Sequence, residues 1–150
     1  MTDISFYHLQ QSSLEGALPK LLEHALEAGK RALVRVGSAE LIEPISSALW
    51  TKRSESWIPH GFANDGYAKH QPVWLTSGLD NPNRATFIFL VGGVEASDVT
   101  KFERCFDLFD GSDSVSVEEA RKRWKILKEA GHQLKYWQEN QLGKWQEKSQ

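Results

Sequence analysis

Residues 4–36, ISFYHLQQSSLEGALPKLLEHALEAGKRALVRV, decide the fold class. ISFYHLQ (4–10) is rich in β-branched and aromatic residues, as a strand requires. Ser12 and Glu15 then form a capping-box pattern. Leu14, Leu18, Leu21, Leu22 and Ala25 recur on one face of the helix that follows. Gly29 supplies a stop, and Pro19 either kinks the helix or marks its effective start. RALVRV (31–36) is a short apolar strand. Strand, helix and strand in this order predict a βαβ unit, and with it a parallel sheet covered by helices.

The pattern repeats outward from this unit. SAELIEPISSALW (38–50) reads as a second helix, with Ser38 at its N-cap and Leu41, Ile45, Ala48 and Leu49 as its apolar stripe. Pro44 sits awkwardly inside it. A loop from about 51 to 71 is long enough to suggest a functional segment. PVWLT (72–76) and ATFIFLV (85–91) are two further strands, the second apolar on both faces. DVTKFERCFDLF (98–109) fits a short helix running into a short strand. SDSVSVEEARKRWKILKEAGH (112–132) predicts a long helix, with Ser116 and Glu119 as a second capping box and Gly131 as its end. QLKYWQENQLGKWQEKSQ (133–150) reads as a short strand and a loosely packed tail. The expected architecture is a single-domain, Rossmann-like α/β fold, 1–150, with a mostly parallel sheet flanked by helices and no nucleotide-binding loop.

Composition narrows the function. The chain has 150 residues, a net charge of -2 and 40% hydrophobic residues. That is one domain with a real core, without the overall basicity of a protein that neutralises many phosphates. No apolar run is long enough to span a membrane, and the N-terminus lacks a secretory pattern, so a cytoplasmic location is expected. Cys105, the single cysteine, lies among apolar residues in FERCFDLF and reads as a buried small hydrophobe. No Walker A loop, G-x-G-x-x-G fingerprint, metal-ligand spacing or catalytic pair is present, so no cofactor, no metal and no enzymatic activity are expected.

Two constellations remain. Arg121, Trp124, Lys125 and Lys128 are spaced i, i+3, i+4, i+7 along the last long helix, inside RKRWKILK, a run of five cations without an acid. This is either a solvated basic face, with Trp124 dipping into the core beside Val117, Ala120 and Leu127, or an aromatic-cationic binding surface. In ALWTKRSESWIPHG (48–61), Trp50 and Trp57 flank Lys52 and Arg53. They are core aromatics with solvated neighbours, or a pocket with a basic rim. Such a pocket suits a short acidic peptide with a large apolar residue. The competing class is a direct single-stranded DNA binder that stacks bases on exposed tryptophans.

FYHL (6–9), GKRALVRVG (29–37), ALW followed by ESWIPHG (48–61), QPVWLT (71–76) and EARKRWKILKEAG (119–131) occur in this order. Together they resemble the chi subunit family of bacterial DNA polymerase III over nearly the whole chain. The resemblance implies a non-catalytic adaptor that links the clamp-loader complex to single-stranded DNA-binding protein by capturing its acidic, Phe-terminated C-terminal tail. It implies tail-binding roles for Trp50, Trp57, Phe109, Arg121, Trp124 and Lys125, with Lys52, Arg53 and Lys128 as an electrostatic rim. It also implies a second partner, the psi subunit or another clamp-loader subunit, and only indirect contact with DNA.

Overall fold

The computed structural model describes residues 2–10, 14–51, 71–94, 98–140, 142 and 144–148, the side chains of Glu15 and of residues 48–51 excepted. The long loop, and with it Lys52, Arg53 and Trp57, lies outside these residues. The elements are β1 (Asp3–Leu9), α1 (Leu14–Glu27), β2 (Ala32–Val36), α2 (Ile42–Thr51), β3 (Val73–Thr76), β4 (Phe87–Val91), β5 (Arg104–Asp110), α3 (Ser114–Glu129), β6 (Gln133–Glu139) and β7 (Trp145–Lys148). Short 3-10 turns at Ala39–Leu41 and Val99–Lys101 lead into α2 and β5.

The strands form one sheet in the order β3-β2-β4-β5-β1-β6-β7. All neighbours run parallel except β6 and β7. The predicted α/β class with a mostly parallel sheet is therefore the observed one. Side chains alternate across the pleat and divide the core in two. On one face, Tyr7, Val34, Val36, Phe89, Phe106 and Leu108 pack with Leu18, Leu22 and Ala25 of α1 and Ile45 of α2. On the other, Ile4, Phe6, Leu33, Ile88, Leu90 and Phe109 pack with Ala120, Val117, Trp124 and Leu127 of α3. Thus α1 and α2 cover one face and α3 covers the opposite one. Both faces of the central parallel strands are closed, as apolar runs such as FIFLV demand.

Three local expectations change. Pro44 falls in the first turn of α2, where a backbone N–H has no helical partner to lose. Ser38 caps the 3-10 turn before α2, accepting from the N–H of Glu40. The N-cap of α3 is Asp113, which accepts from the N–H of Val115, while Ser116 Oγ donates to the same carboxylate. A carboxylate at this end faces the positive pole of the helix and outcompetes the serine predicted as cap. Residues 133–139 are the short strand predicted after α3. They form β6, inserted between β1 and β7, with Tyr136 buried against α3. The predicted stop at Gly131 holds: its φ of 90 is one that only glycine adopts without strain.

Candidate functional site

Among the described residues the chemistry concentrates where α3 crosses β5, β1 and β6. Phe6 on β1 is fully buried. Its ring meets Trp124 of α3 edge-on at 5.3 Å and Phe109 of β5 at 6.5 Å. Tyr136 of β6 completes the group, 5.8 Å from Trp124 and 6.1 Å from Phe109. Edge-to-face rings at these separations attract beyond their shared burial. His8 lies 5.0 Å from Phe109, and its Nδ1 is hydrogen-bonded to the Tyr136 hydroxyl at 2.6 Å.

Gly111, just after β5, is pressed onto this imidazole. A Cβ there would stand 2.0 Å from the His8 ring, so glycine is needed for close approach. Burial lowers the His8 pKa; the Gly111 backbone and Asp110 oppose this and the Arg121 charge adds to it. Burial raises the Tyr136 pKa, with Arg121 opposing. The pair is therefore neutral near pH 7 and acts as a hydrogen-bonded brace for the aromatic group.

The cations of α3 divide by depth. Arg123 is buried and forks onto Asp107 of β5, its Nε and Nη2 donating to the two carboxylate oxygens at 2.7 and 2.9 Å. Arg121, Lys122, Lys125 and Lys128 are exposed. Among the described residues none of Arg121, Lys125 and Lys128 enters a salt bridge. The run of five cations is therefore four at the surface and one inside. The period of the helix could have placed Arg123 beside Ala120 and Leu127, but nothing local named Asp107 as its partner.

The predicted site residues fare differently. Trp124 is half-buried, with Arg121, Lys125 and Lys128 exposed around it, and the inner stripe of Val117, Ala120 and Leu127 is as expected. Phe109 joins this group but is only 4% exposed, so it backs the site rather than lining its surface. The backbone of Trp50 belongs to α2, across the sheet from α3. Trp57, Lys52 and Arg53 lie outside the described residues. The α3 and β5 members are thus brought together, and α2 does not join them on that face. Sequence reading missed His8, Gly111 and Tyr136, whose role arises only from neighbouring strands.

Other chemistry stays quiet. Cys105 is fully buried, and burial holds its thiol well above the usual range, so it is inert as a nucleophile. Among the described residues no cluster of His, Cys, Asp or Glu could hold a metal, and no helix is long and apolar enough to cross a membrane.

The chain is thus an α/β domain with a helix-covered, mostly parallel sheet that presents, on α3, exposed cations around a half-buried indole. The family model for the DNA polymerase III chi subunit, HolC, matches residues 1–135, and the chain belongs to that family. It is similar to the DNA polymerase III subunit chi of Escherichia coli (strain K12), 25% identical over 142 residues, which cover 89% of this chain and 96% of that protein. It is also similar to the "Probable DNA polymerase III subunit chi" of Rickettsia prowazekii (strain Madrid E), 23% identical over 109 residues, covering 73% of this chain and 66% of that one. Membership makes the chain an accessory subunit of the replicative polymerase assembly.

Proposed function

We propose that this chain tethers DNA polymerase III, through its clamp-loader complex, to single-stranded DNA-binding protein by capturing the acidic, phenylalanine-ended tail of that protein. The observation that carries this reading is Arg121. Its guanidinium is exposed and unpaired among the described residues, one helical turn from half-buried Trp124. Its charge reaches His8 and Tyr136 in the aromatic group. A terminal phenylalanine gains by covering the indole, and a terminal carboxylate gains from charge-assisted hydrogen bonds to a guanidinium. Lys125 and Lys128 add positive potential that speeds approach of an acidic chain. The psi subunit or another clamp-loader protein would occupy a separate surface, and the reading needs no catalytic group in this chain.

Ordering a flexible tail opposes binding, so one tail should bind with about micromolar affinity. Calorimetric titration with a short acidic peptide ending in phenylalanine, beside a control lacking that residue, tests this directly. Equal heats from both peptides would sink the proposal. Arg121→Ala should weaken binding by about 1.5–3 kcal/mol, and the wild-type affinity should fall as salt screens the surface charges. A variant that titrates like wild type removes Arg121 from the site.

Trp50 and Trp57, with Lys52 and Arg53, enter the proposal from the sequence alone. Trp50→Ala is expected to cost less tail affinity than Arg121→Ala, because α2 packs on the other face of the sheet. A loss as large as that of Arg121→Ala would return α2 to the binding surface.

A further inference from the structure

The sheet face opposite α3 carries a cavity of its own, at the N-terminal ends of β1, β5 and β6. Its volume is about 610 Å³, and Asp3, Ser5, Arg104, Gln133 and Lys135 line it. Register places these side chains on one face: Asp3 lies between Arg104 and Gln133, and Ser5 between Phe106 and Lys135. Ser5 is the smallest residue that β1 turns to this face, so the surface dips there. It is 3% exposed, and its hydroxyl makes no hydrogen bond among the described residues. Arg104 lies over the ring of Phe106 at 4.7 Å and over that of Phe87 at 5.8 Å. Stacking holds a guanidinium by its face and leaves the N–H donors around its edge unspent. Among the described residues neither Arg104 nor Lys135 enters a salt bridge, although Asp3 is the neighbour of Arg104 in register.

We propose that this cavity binds a small phosphate monoester that carries hydroxyl groups, a sugar phosphate or a nucleotide. The phosphate sits between Arg104 and Lys135 and accepts a hydrogen bond from the Ser5 hydroxyl. Asp3 and Gln133 accept from the hydroxyl groups of the organic part. Tetrahedral phosphate oxygens suit donors that arrive from three separate strands, whereas a planar carboxylate is matched by the guanidinium alone. A carboxylate beside the two cations disfavours a bare phosphate and suits a ligand that brings its own donors. The volume is that of a small-molecule pocket. Two cations beside one acid are too few for a polynucleotide, which needs a positive groove along its backbone. The inference does not depend on tail capture, because α3 covers the other face of the sheet.

The whole chain, with its backbone amides labelled, is titrated at low salt with ribose 5-phosphate, adenosine 5′-monophosphate, adenosine and inorganic phosphate. The esters should shift the amides of residues 3–5, 104–106 and 133–135, and the tighter of the two names the class. That ester should bind about tenfold tighter than adenosine or inorganic phosphate. Arg104→Gln should weaken it about tenfold; if that variant unfolds, Lys135→Gln, at an exposed position, reads the same loss. Esters that bind no tighter than inorganic phosphate, or that shift only the amides of α3, overturn the inference. So does an unchanged affinity in Lys135→Gln. A phosphorylated oligothymidylate that binds tighter than both esters would give the cavity to a nucleic-acid strand and would also overturn it. The acidic, phenylalanine-ended peptide should leave the ester in place, and displacement of the ester would merge the two sites and sink the proposal.

Discussion

Arg123→Ala is expected to lower the unfolding free energy by about 3–5 kcal/mol at neutral pH, although arginine on a cation-rich helix looks expendable. The reason is the partner left behind. Asp107 is 2% exposed on β5 beneath α3, and both its oxygens receive hydrogen bonds from Arg123. Removing the guanidinium strands a carboxylate where water cannot reach it. Burial already raises the Asp107 pKa, and the hydrogen bonds and charge of Arg123 oppose that rise. In the variant only burial remains, so the folded-state pKa climbs further above the unfolded value. A carboxyl with a raised folded pKa contributes stability that is present below its unfolded pKa and is lost as pH rises through the folded one. The deficit should therefore be smaller at about pH 4 than at about pH 7, with the ordinary aspartate near 3.9. Urea unfolding at both pH values measures it. A deficit independent of pH, or one below about 1 kcal/mol, would mean that Asp107 is not sealed. Replacing both partners, Arg123→Met with Asp107→Leu, should recover most of the loss, since no charge is then stranded.

Phe6→Ala should cost a similar amount, about 3–5 kcal/mol, for a different reason. The Phe6 ring is wholly buried and is the inner wall on which Trp124 and Phe109 rest. Truncation leaves a cavity beneath α3, and the strands on both sides, β5 and β6, are too rigidly paired to close it. Phe6→Leu, which keeps most of the volume, should cost about 1 kcal/mol. Thermal unfolding of the two variants decides the matter, and comparable midpoints would show that the ring is not a structural wall. The consequence for function is an indole without support. Tail affinity should fall in Phe6→Ala even under conditions where the chain stays folded, because Trp124 then has several orientations where it had one.

The placement of the α3 residues was readable in advance because it depends on period. Trp124 stands half in and half out because position i+4 from Ala120 lies at the margin of the apolar stripe, and Arg121, Lys125 and Lys128 fall outside it. The brace formed by His8, Tyr136 and Gly111 was not readable. These residues are far apart in sequence, and a histidine, a tyrosine and a glycine carry no signal until β1 lies between β5 and β6. The expectation that the ALW segment joins the last helix came from resemblance, and the packing of α2 beside α1 now makes that part the one most in need of Trp50→Ala.

Local pattern alone determined that this chain alternates strands and helices, that FIFLV is buried on both sides, and that α3 stops just before Gly131. Side-chain period and backbone preference act within a few residues, so they are complete in the sequence. Tertiary structure alone decided that α2 and α3 cover opposite faces, that the strand at 133–139 lies between β1 and β7, and that one arginine of RKRWKILK turns inward to Asp107. Those outcomes depend on which strands pair and which charges lose water together, and both are settled between residues distant in the chain.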